Sequence, residues 1–111
     1  LAASAAAWAV AILAWAAVGQ SIGVELSMGQ AALLASGVAL ASAVPAGPSN
    51  LGTFEFAAVE IGKAIGIPAA SAFALALIVH ATILVVTSIG GGVAVARLGW
   101  KRSATEPDAE A

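Results

Sequence analysis

The chain has 111 residues, of which 61% are hydrophobic and only 9% are charged, whereas a soluble globular domain carries roughly 25% charged residues. A chain of this length buries only about 60–70% of its surface, so a soluble monomer is nearly excluded and lipid is the expected solvent. The absence of cysteine excludes a disulfide framework and a thiolate metal site. Nucleic acid is not an expected partner, because the net charge is −2 and basic residues cluster only near the C-terminal end.

The first apolar segment, residues 1–18, carries no charge. As a helix it spans about 27 Å, close to the ~30 Å thickness of the hydrocarbon core. No basic segment or cleavage site marks a signal peptide, so we expect the C-terminal piece of a longer membrane protein, with helices upstream of Leu1. Trp15 could lie in the interfacial aromatic belt, whereas Trp8 is expected to pack against lipid or a neighbouring helix.

A second, shorter helix follows a polar connector over residues 19–26. Ser27 and Gln30 have the spacing of a capping box, and the pair Val44-Pro45 predicts a helix end near Ala43. The helix is then ~24 Å long, which is marginal for a full crossing and typical of a re-entrant or packed segment.

A third helix is predicted over residues 53–65, after a turn-rich stretch at residues 45–52. Gly66 is expected just after its end, and Pro68 follows. The helix is amphipathic and about 20 Å long, so it cannot span a membrane alone with its charged face in lipid. Its candidate N-caps are Thr53, Asn50 and Ser49. Its charged residues are Glu55, Glu60 and Lys63.

The last predicted helix, residues 71–96, is ~39 Å long and can cross with tilt. Its glycine triplet, residues 90–92, would permit close helix approach or a bend near the interface. The basic residues Arg97, Lys101 and Arg102 follow with Trp100 between them, a pattern that predicts a membrane exit on the cytoplasmic side. Residues 103–111 are expected to form a disordered polar tail.

These elements predict an all-α integral membrane protein, a helical-bundle fragment with two long spans and a central pair of short, re-entrant helices. Two full crossings by the central pair, or one crossing with one surface helix, are the open alternatives. Residues 1–102 would form the C-terminal part of a transmembrane domain, and residues 103–111 a cytoplasmic tail. We expect a multi-pass protein of the bacterial inner membrane, with membrane lipids and the upstream helices as partners and a homo-oligomer as an open alternative.

The loop between the two short helices is the predicted site. Irregular backbone at membrane depth is tolerated where it lines a cavity, and broken helices form substrate sites in transporters. Backbone amides over residues 52–54 could therefore receive a lipid phosphate at a positive helix end. The candidate substrate-binding residues are Pro45, Pro48, Ser49, Asn50, Gly52, Thr53 and Glu55.

Glu55 has two compatible readings: a functional intramembrane carboxylate that pairs or carries a proton, or a cap for its own helix. A charged Glu55 would repel a phosphate unless it were protonated or had a basic partner. Three secondary candidates are weaker. Glu60 and Lys63 have the spacing of a surface pair, and His80 is expected to be a packed neutral side chain with a backbone or hydroxyl partner rather than a proton carrier.

Enzyme signatures are not visible in these residues. No serine–histidine–acid set, phosphate-binding loop or dinucleotide fingerprint is present, and the scattered acids with one histidine predict no metal site and no cofactor. We therefore favour a non-enzymatic role, which sequence upstream of Leu1 could revise.

The order of motifs resembles the C-terminal part of the lysylphosphatidylglycerol synthase transmembrane-region family, also described as flippase-like. The resemblance covers residues 26–98: a capped apolar helix, the run P-A-G-P-S-N-L-G-T-F-E, an amphipathic helix, a Gly-Ile-Pro break and a final long helix. The matching positions are Pro45, Pro48, Gly52, Phe54, Glu55, Gly66 and Pro68. The pair Ser49-Asn50 departs from the glycines that many members carry.

This resemblance implies an integral membrane protein whose best-known branch is linked to lipid translocation. That branch also carries a soluble domain for lysyl transfer, an activity that is not carried over here. Two hypotheses follow: binding or translocation of a phospholipid or polyprenyl lipid, or a non-catalytic membrane scaffold that anchors a partner enzyme.

Overall fold

The computed structural model describes residues 1–105, and it describes side-chain surroundings as far as residue 102. All regular elements in this part of the chain are helical, which confirms the predicted all-α class. The elements are α1 (Ala2–Ser21), α2 (Met28–Ser42), a 3₁₀ turn (Pro48–Asn50), α3 (Thr53–Ala64) and α4 (Ala69–Thr105).

The chain divides into two units, residues 1–81 and the residues from 82 onward. The first unit contains α1, α2, α3 and the beginning of α4, and every buried hydrophobic side chain of the described residues belongs to it. This core consists of Trp15, Ala31, Leu34, Ala35, Val38, Phe54, Ala58, Ile67, Ala72, Leu75, Ala76 and Val79.

The predicted capping box at the start of α2 is confirmed. Ser27 Oγ accepts from the Gln30 backbone N–H at 3.2 Å, and Gln30 Oε1 accepts from the Ser27 N–H at 2.9 Å. The amide nitrogen of Gln30 also donates to the Ile65 carbonyl at 3.2 Å. One side chain therefore caps α2 and joins its first turn to the C-terminal end of α3.

Two helices of the first unit end in the same way. At the end of α3, the Ile67 N–H donates to the Gly62 carbonyl at 2.8 Å. Gly66 follows the C-cap with a φ of 84°, which confirms the predicted glycine after the helix end. In α1, Val24 N–H donates to Gly19 O at 2.8 Å and Gly23 has a φ of 77°. Both ends are Schellman motifs, and the two segments read G-Q-S-I-G-V and G-K-A-I-G-I.

The long helices extend beyond their predicted ends. The prediction ended α1 at residue 18, whereas the left-handed residue that stops it is Gly23 and the helix continues to Ser21. α4 begins at Ala69 and runs through the glycine triplet to Thr105, because lipid offers no water to compete for the backbone hydrogen bonds. Residues 103–105 of the predicted tail are thus helical, and residues 106–111 lie outside the described residues.

The N-cap prediction for α3 was wrong. The cap residue is Gly52, with φ 88° and ψ −46°, a conformation that side chains disfavour and glycine tolerates. Thr53 is the first helical residue, and Ser49 and Asn50 belong to the preceding 3₁₀ turn. The capping oxygen comes instead from Glu55, which reaches back one turn to the Gly52 N–H.

Small residues allow close helix contacts within the first unit. A Cβ at Gly62 would lie 2.6 Å from the Ala72 Cβ of α4, and a Cβ at Gly37 would lie 2.5 Å from the Ile61 Cδ1 of α3. The first contact is the more rigid, because Ala72 Cβ is fixed to the backbone whereas Ile61 Cδ1 is the end of a flexible side chain.

Within the part of the chain that the structure describes, two helices are long and apolar enough to cross a membrane, over Ala2–Ser21 and Ala69–Arg102. Only 11% of the most apolar 18-residue stretch of the first helix is buried within the protein, and 28% of that of the second. In the second unit, α4 exposes many apolar side chains and then a basic end with Trp100, which is 81% exposed. Such surfaces are stable against lipid or against other membrane helices, not in water.

The Gly62 contact yields a stability prediction. We expect Gly62→Ala to lower stability by about 1–3 kcal/mol, the usual cost of overpacking a close contact. Gly92→Ala is the matched control, since its Cβ would meet nothing within 4 Å and alanine favours a helix by up to about 1 kcal/mol over glycine. Unfolding in detergent micelles, followed by circular dichroism, should show a lower midpoint for Gly62→Ala only. Equal midpoints would contradict the assigned contact.

Candidate functional site

The loop between α2 and α3 has a constrained backbone. Ser49 and Asn50 both adopt positive φ angles, 55° and 53°, in a left-handed region that non-glycine residues occupy uncommonly. Asn50 Nδ2 donates to the Ser42 carbonyl at 3.3 Å, which ties the loop to the last turn of α2. The Ser49 carbonyl accepts from His80 Nε2 at 3.0 Å, which ties the loop to α4.

Glu55 is buried in the first turn of α3, with only 6% of its surface exposed. Its Oε2 accepts from the Gly52 backbone N–H at 2.8 Å, so it caps its own helix. Its Oε1 lies 2.5 Å from His80 Nδ1. The structure therefore supplies from within the chain the basic partner that the sequence alone did not identify.

His80 is also buried, with 5% of its surface exposed. The expected backbone partner is Ser49, but the second partner, Glu55, was not expected from the sequence. Each ring nitrogen has one partner. Among the described residues, every buried side-chain nitrogen and oxygen has a hydrogen-bond partner.

The hydrogen-bond pattern fixes the number of protons on this pair. A backbone carbonyl only accepts, so His80 Nε2 must carry a hydrogen to bond Ser49. The contact between His80 Nδ1 and Glu55 Oε1 then needs one more proton, held by either atom. The pair is an imidazolium with a carboxylate, or an imidazole with a carboxylic acid, and its net charge is zero in both forms.

Phe54 stacks against two other rings. Its centroid lies 6.0 Å from that of Trp15, with an interplanar angle of 11°, and 4.3 Å from that of His80, with an angle of 22°. Trp15 is only 4% exposed, so its predicted place in an interfacial belt was wrong: α1 continues six residues beyond it to Ser21, and the ring faces the core. Trp8 is 47% exposed.

An apolar groove of about 500 Å³ opens beside the buried pair, within the 300–1,000 Å³ range of small-molecule sites. It lies between the N-terminal part of α3 and the α4 segment of this unit. Its lining residues are Leu51, Gly52, Glu55, Phe56, Val59, Phe73 and Leu77. Glu55 is the one ionisable residue in this lining.

The predicted site residues have different positions in this arrangement. Gly52 and Glu55 line the groove, Ser49 contacts His80 through its carbonyl, and Asn50 braces the loop. The other three contribute backbone structure: Pro45 lies in the exposed loop, Pro48 begins the 3₁₀ turn, and Thr53 begins α3. The Gly52 amide, a proposed phosphate ligand, is already occupied by Glu55.

Glu60 and Lys63 form the surface pair that their spacing predicts. Lys63 Nζ lies 2.9 Å from Glu60 Oε1, and about half of each side chain is exposed. Neither residue lines the groove. Within the described residues, no group of three metal-ligating side chains comes together.

The sequence reasoning missed the apolar wall of the groove. Phe73 and Leu77 are four residues apart, and His80 follows three residues later, so all three lie on one face of α4. Phe56 and Val59 have the corresponding spacing on α3. The helical spacing that places His80 on the same face as Phe73 and Leu77 is the sequence signal that could have predicted a histidine beside the groove.

The family comparison agrees with this fold. The family model described as the lysylphosphatidylglycerol synthase TM region matches residues 1–91. The chain belongs to this family. No curated protein and no solved structure gives a significant match.

Membership in this family makes the chain an integral membrane protein associated with lipids. The family match extends further towards the N-terminus than the resemblance over residues 26–98, since it includes all of α1. It also includes the whole groove and the Glu55–His80 pair.

The buried pair of this family member gives a second stability prediction. His80→Phe leaves the carboxylate of Glu55 without its partner, which costs about 3–5 kcal/mol for a buried ion pair. In a Glu55→Gln background the same change leaves only an amide unpaired, at about 1–3 kcal/mol. Unfolding midpoints of the two single variants and the double variant should show this non-additivity. Additive shifts would contradict the contact.

Proposed function

We propose that this protein binds a membrane lipid in the groove beside the Glu55–His80 pair and moves it across the bacterial inner membrane. The observation that carries the proposal is an apolar groove of about 500 Å³ with a buried, hydrogen-bonded ionisable pair at its side. Intramembrane ionisable residues are costly and mark transport pathways. The lipid-associated family of the chain agrees with this reading.

The arrangement suits the two parts of a lipid. The apolar walls formed by Phe56, Val59, Phe73 and Leu77 would contact a hydrocarbon chain, and the loop at residues 45–55 would face the head group. Because the Glu55–His80 pair is neutral overall, its carboxylate does not exclude an anionic head group by net charge. The repulsion expected for an unpartnered Glu55 is thereby relieved.

We propose an orientation with the C-terminal end in the cytoplasm. Its support is the basic end of α4, where Arg97, Lys101 and Arg102 follow the long apolar run with Trp100 between them. Short basic segments next to a membrane helix remain on the cytoplasmic side. The two short helices α2 and α3 would then form the re-entrant pair beside the pathway.

A groove-filling variant tests the lipid proposal. Val59→Trp in the full-length protein should block the groove and abolish translocation of fluorescent phosphatidylglycerol in proteoliposomes, measured by dithionite quenching. Val95→Trp is the matched control, because Val95 is 70% exposed in the second unit and lies outside the groove. It should translocate at the wild-type rate.

Other outcomes of this experiment contradict the proposal in distinct ways. Wild-type protein that moves no labelled phosphatidylglycerol and no labelled phosphatidylcholine argues against translocation and favours the scaffold hypothesis. Translocation by Val59→Trp at the wild-type rate argues that lipid moves elsewhere on the protein.

A further inference from the structure

We infer that the Glu55–His80 pair is a proton-binding site that holds one exchangeable proton, and that release of this proton opens the groove. The inference deepens the proposed function, on which it rests, by naming the ion to which lipid movement is coupled. It is carried by the geometry of three hydrogen bonds: Gly52 to Glu55, Glu55 with His80, and His80 to Ser49.

Loss of one proton breaks one identifiable contact. With His80 Nε2 still donating to Ser49, the unprotonated Nδ1 and the carboxylate of Glu55 would both be acceptors at 2.5 Å. Two facing acceptors repel, so this contact separates. The released proton passes to water in the opened groove and returns from water when the contact closes.

A second proton has no acceptor among these contacts. If Glu55 and His80 were both protonated, the carboxyl hydrogen would need an acceptor of its own, and none of the three hydrogen bonds supplies one. The three contacts are therefore all made, with every hydrogen used, when one proton lies between Glu55 and His80.

The Glu55–His80 contact, which separates when the proton is lost, controls the width of the groove. Glu55 lies on α3 with Phe56 and Val59, whereas His80 lies on the α4 face that carries Phe73 and Leu77. These are the two sides of the groove. When the Glu55–His80 contact is lost, a direct side-chain link between the two sides is lost with it.

The described residues of the first unit contain no other buried titratable group that could be the proton-binding site. α1 and α2 contain none, and the α4 residues up to 81 contain only His80. On α3, Glu60 and Lys63 are exposed and paired with each other, and Glu25 lies in the connector before α2. The pair is therefore the buried ionisable site among the described residues of this unit.

Glu55→Gln separates proton binding from packing. The glutamine oxygen can accept from the Gly52 N–H, and its amide can donate to a neutral His80 Nδ1. Both hydrogen bonds are retained, while the exchangeable proton is lost. Glu60→Gln is the matched control: the same substitution on the same helix, at an exposed position.

The chain contains one histidine, so ¹⁵N-histidine labelling of the full-length protein with any other histidines replaced reports on His80 alone. We expect Nε2 to remain protonated as the pH is raised, while the Nδ1 signal shifts when the shared proton is lost. In Glu55→Gln, Nδ1 should accept from the glutamine amide, and its signal should stay constant over the pH range in which the wild-type signal shifts. In the wild-type protein, an unprotonated Nε2 would overturn the inference. An Nδ1 signal that stays constant from acidic to alkaline pH would overturn it as well.

Groove opening is measured separately by thiol labelling. The 111 residues contain no cysteine, so Val59→Cys introduces a thiol in the groove that a maleimide can label. The labelling rate of Val59→Cys is divided by that of the reference variant Leu40→Cys, since Leu40 on α2 is 75% exposed. The ratio should rise several-fold with pH in wild-type and Glu60→Gln backgrounds and stay constant in Glu55→Gln. A ratio that is constant in wild type, or rises equally in Glu55→Gln, overturns the inference.

Lipid assays then distinguish the two proposals. Glu55→Gln should stop translocation of labelled phosphatidylglycerol, and Glu60→Gln should not. If wild type and Glu55→Gln move lipid equally at all pH values, the proton site is wrong while the lipid function stands. If wild type moves no lipid, the function fails, and the histidine and thiol measurements still decide the proton site.

Discussion

The contact between Glu55 and His80 is the interaction on which the site depends. It places a carboxylate from the first turn of α3 against an imidazole of α4, and both side chains are almost completely buried. A single ionisable group in such surroundings would be expensive, whereas the joined pair carries no net charge. Glu55 also lines the apolar groove, so the pair that makes the buried charge tolerable lies at the side of this groove.

The backbone around this pair is organised to present it. Gly52 adopts a conformation that lets Glu55 cap the helix from its third residue, and the left-handed turn at Ser49 and Asn50 accompanies a carbonyl bonded to the imidazole. Phe54 stacks on the ring of the same imidazole. His80 is thus fixed by polar contacts at both nitrogens and by an aromatic ring, which leaves few orientations open to it.

Much of this could be read from the sequence, and the remainder depends on tertiary contacts. The capping box at Ser27, the glycine after α3 and the turn-rich loop have local signals, and the structure contains all three. The partnership of Glu55 and His80 has no local signal, because 25 residues separate them along the chain. The burial of Trp15 likewise depends on Phe54, from a different helix. The predicted end of α1 lies too early because positions 19 and 23 are both glycine. Only the backbone conformation shows that Gly19 is helical and that the left-handed Gly23 follows the end of the helix.

The separation of Glu55 and His80 along the chain has a consequence for biosynthesis. A ribosome delivers α3 to the insertion machinery before α4 has been made, so at that stage Glu55 has its cap but no imidazole beside it. Placing an unpaired carboxylate in hydrocarbon costs roughly 2.5–3.5 kcal/mol on insertion scales. The order of events that avoids this cost keeps α3 at the membrane surface until α4 is inserted, and then docks both helices together. Helix α4 would thus act as the folding partner that lets the short helix α3 bury its carboxylate.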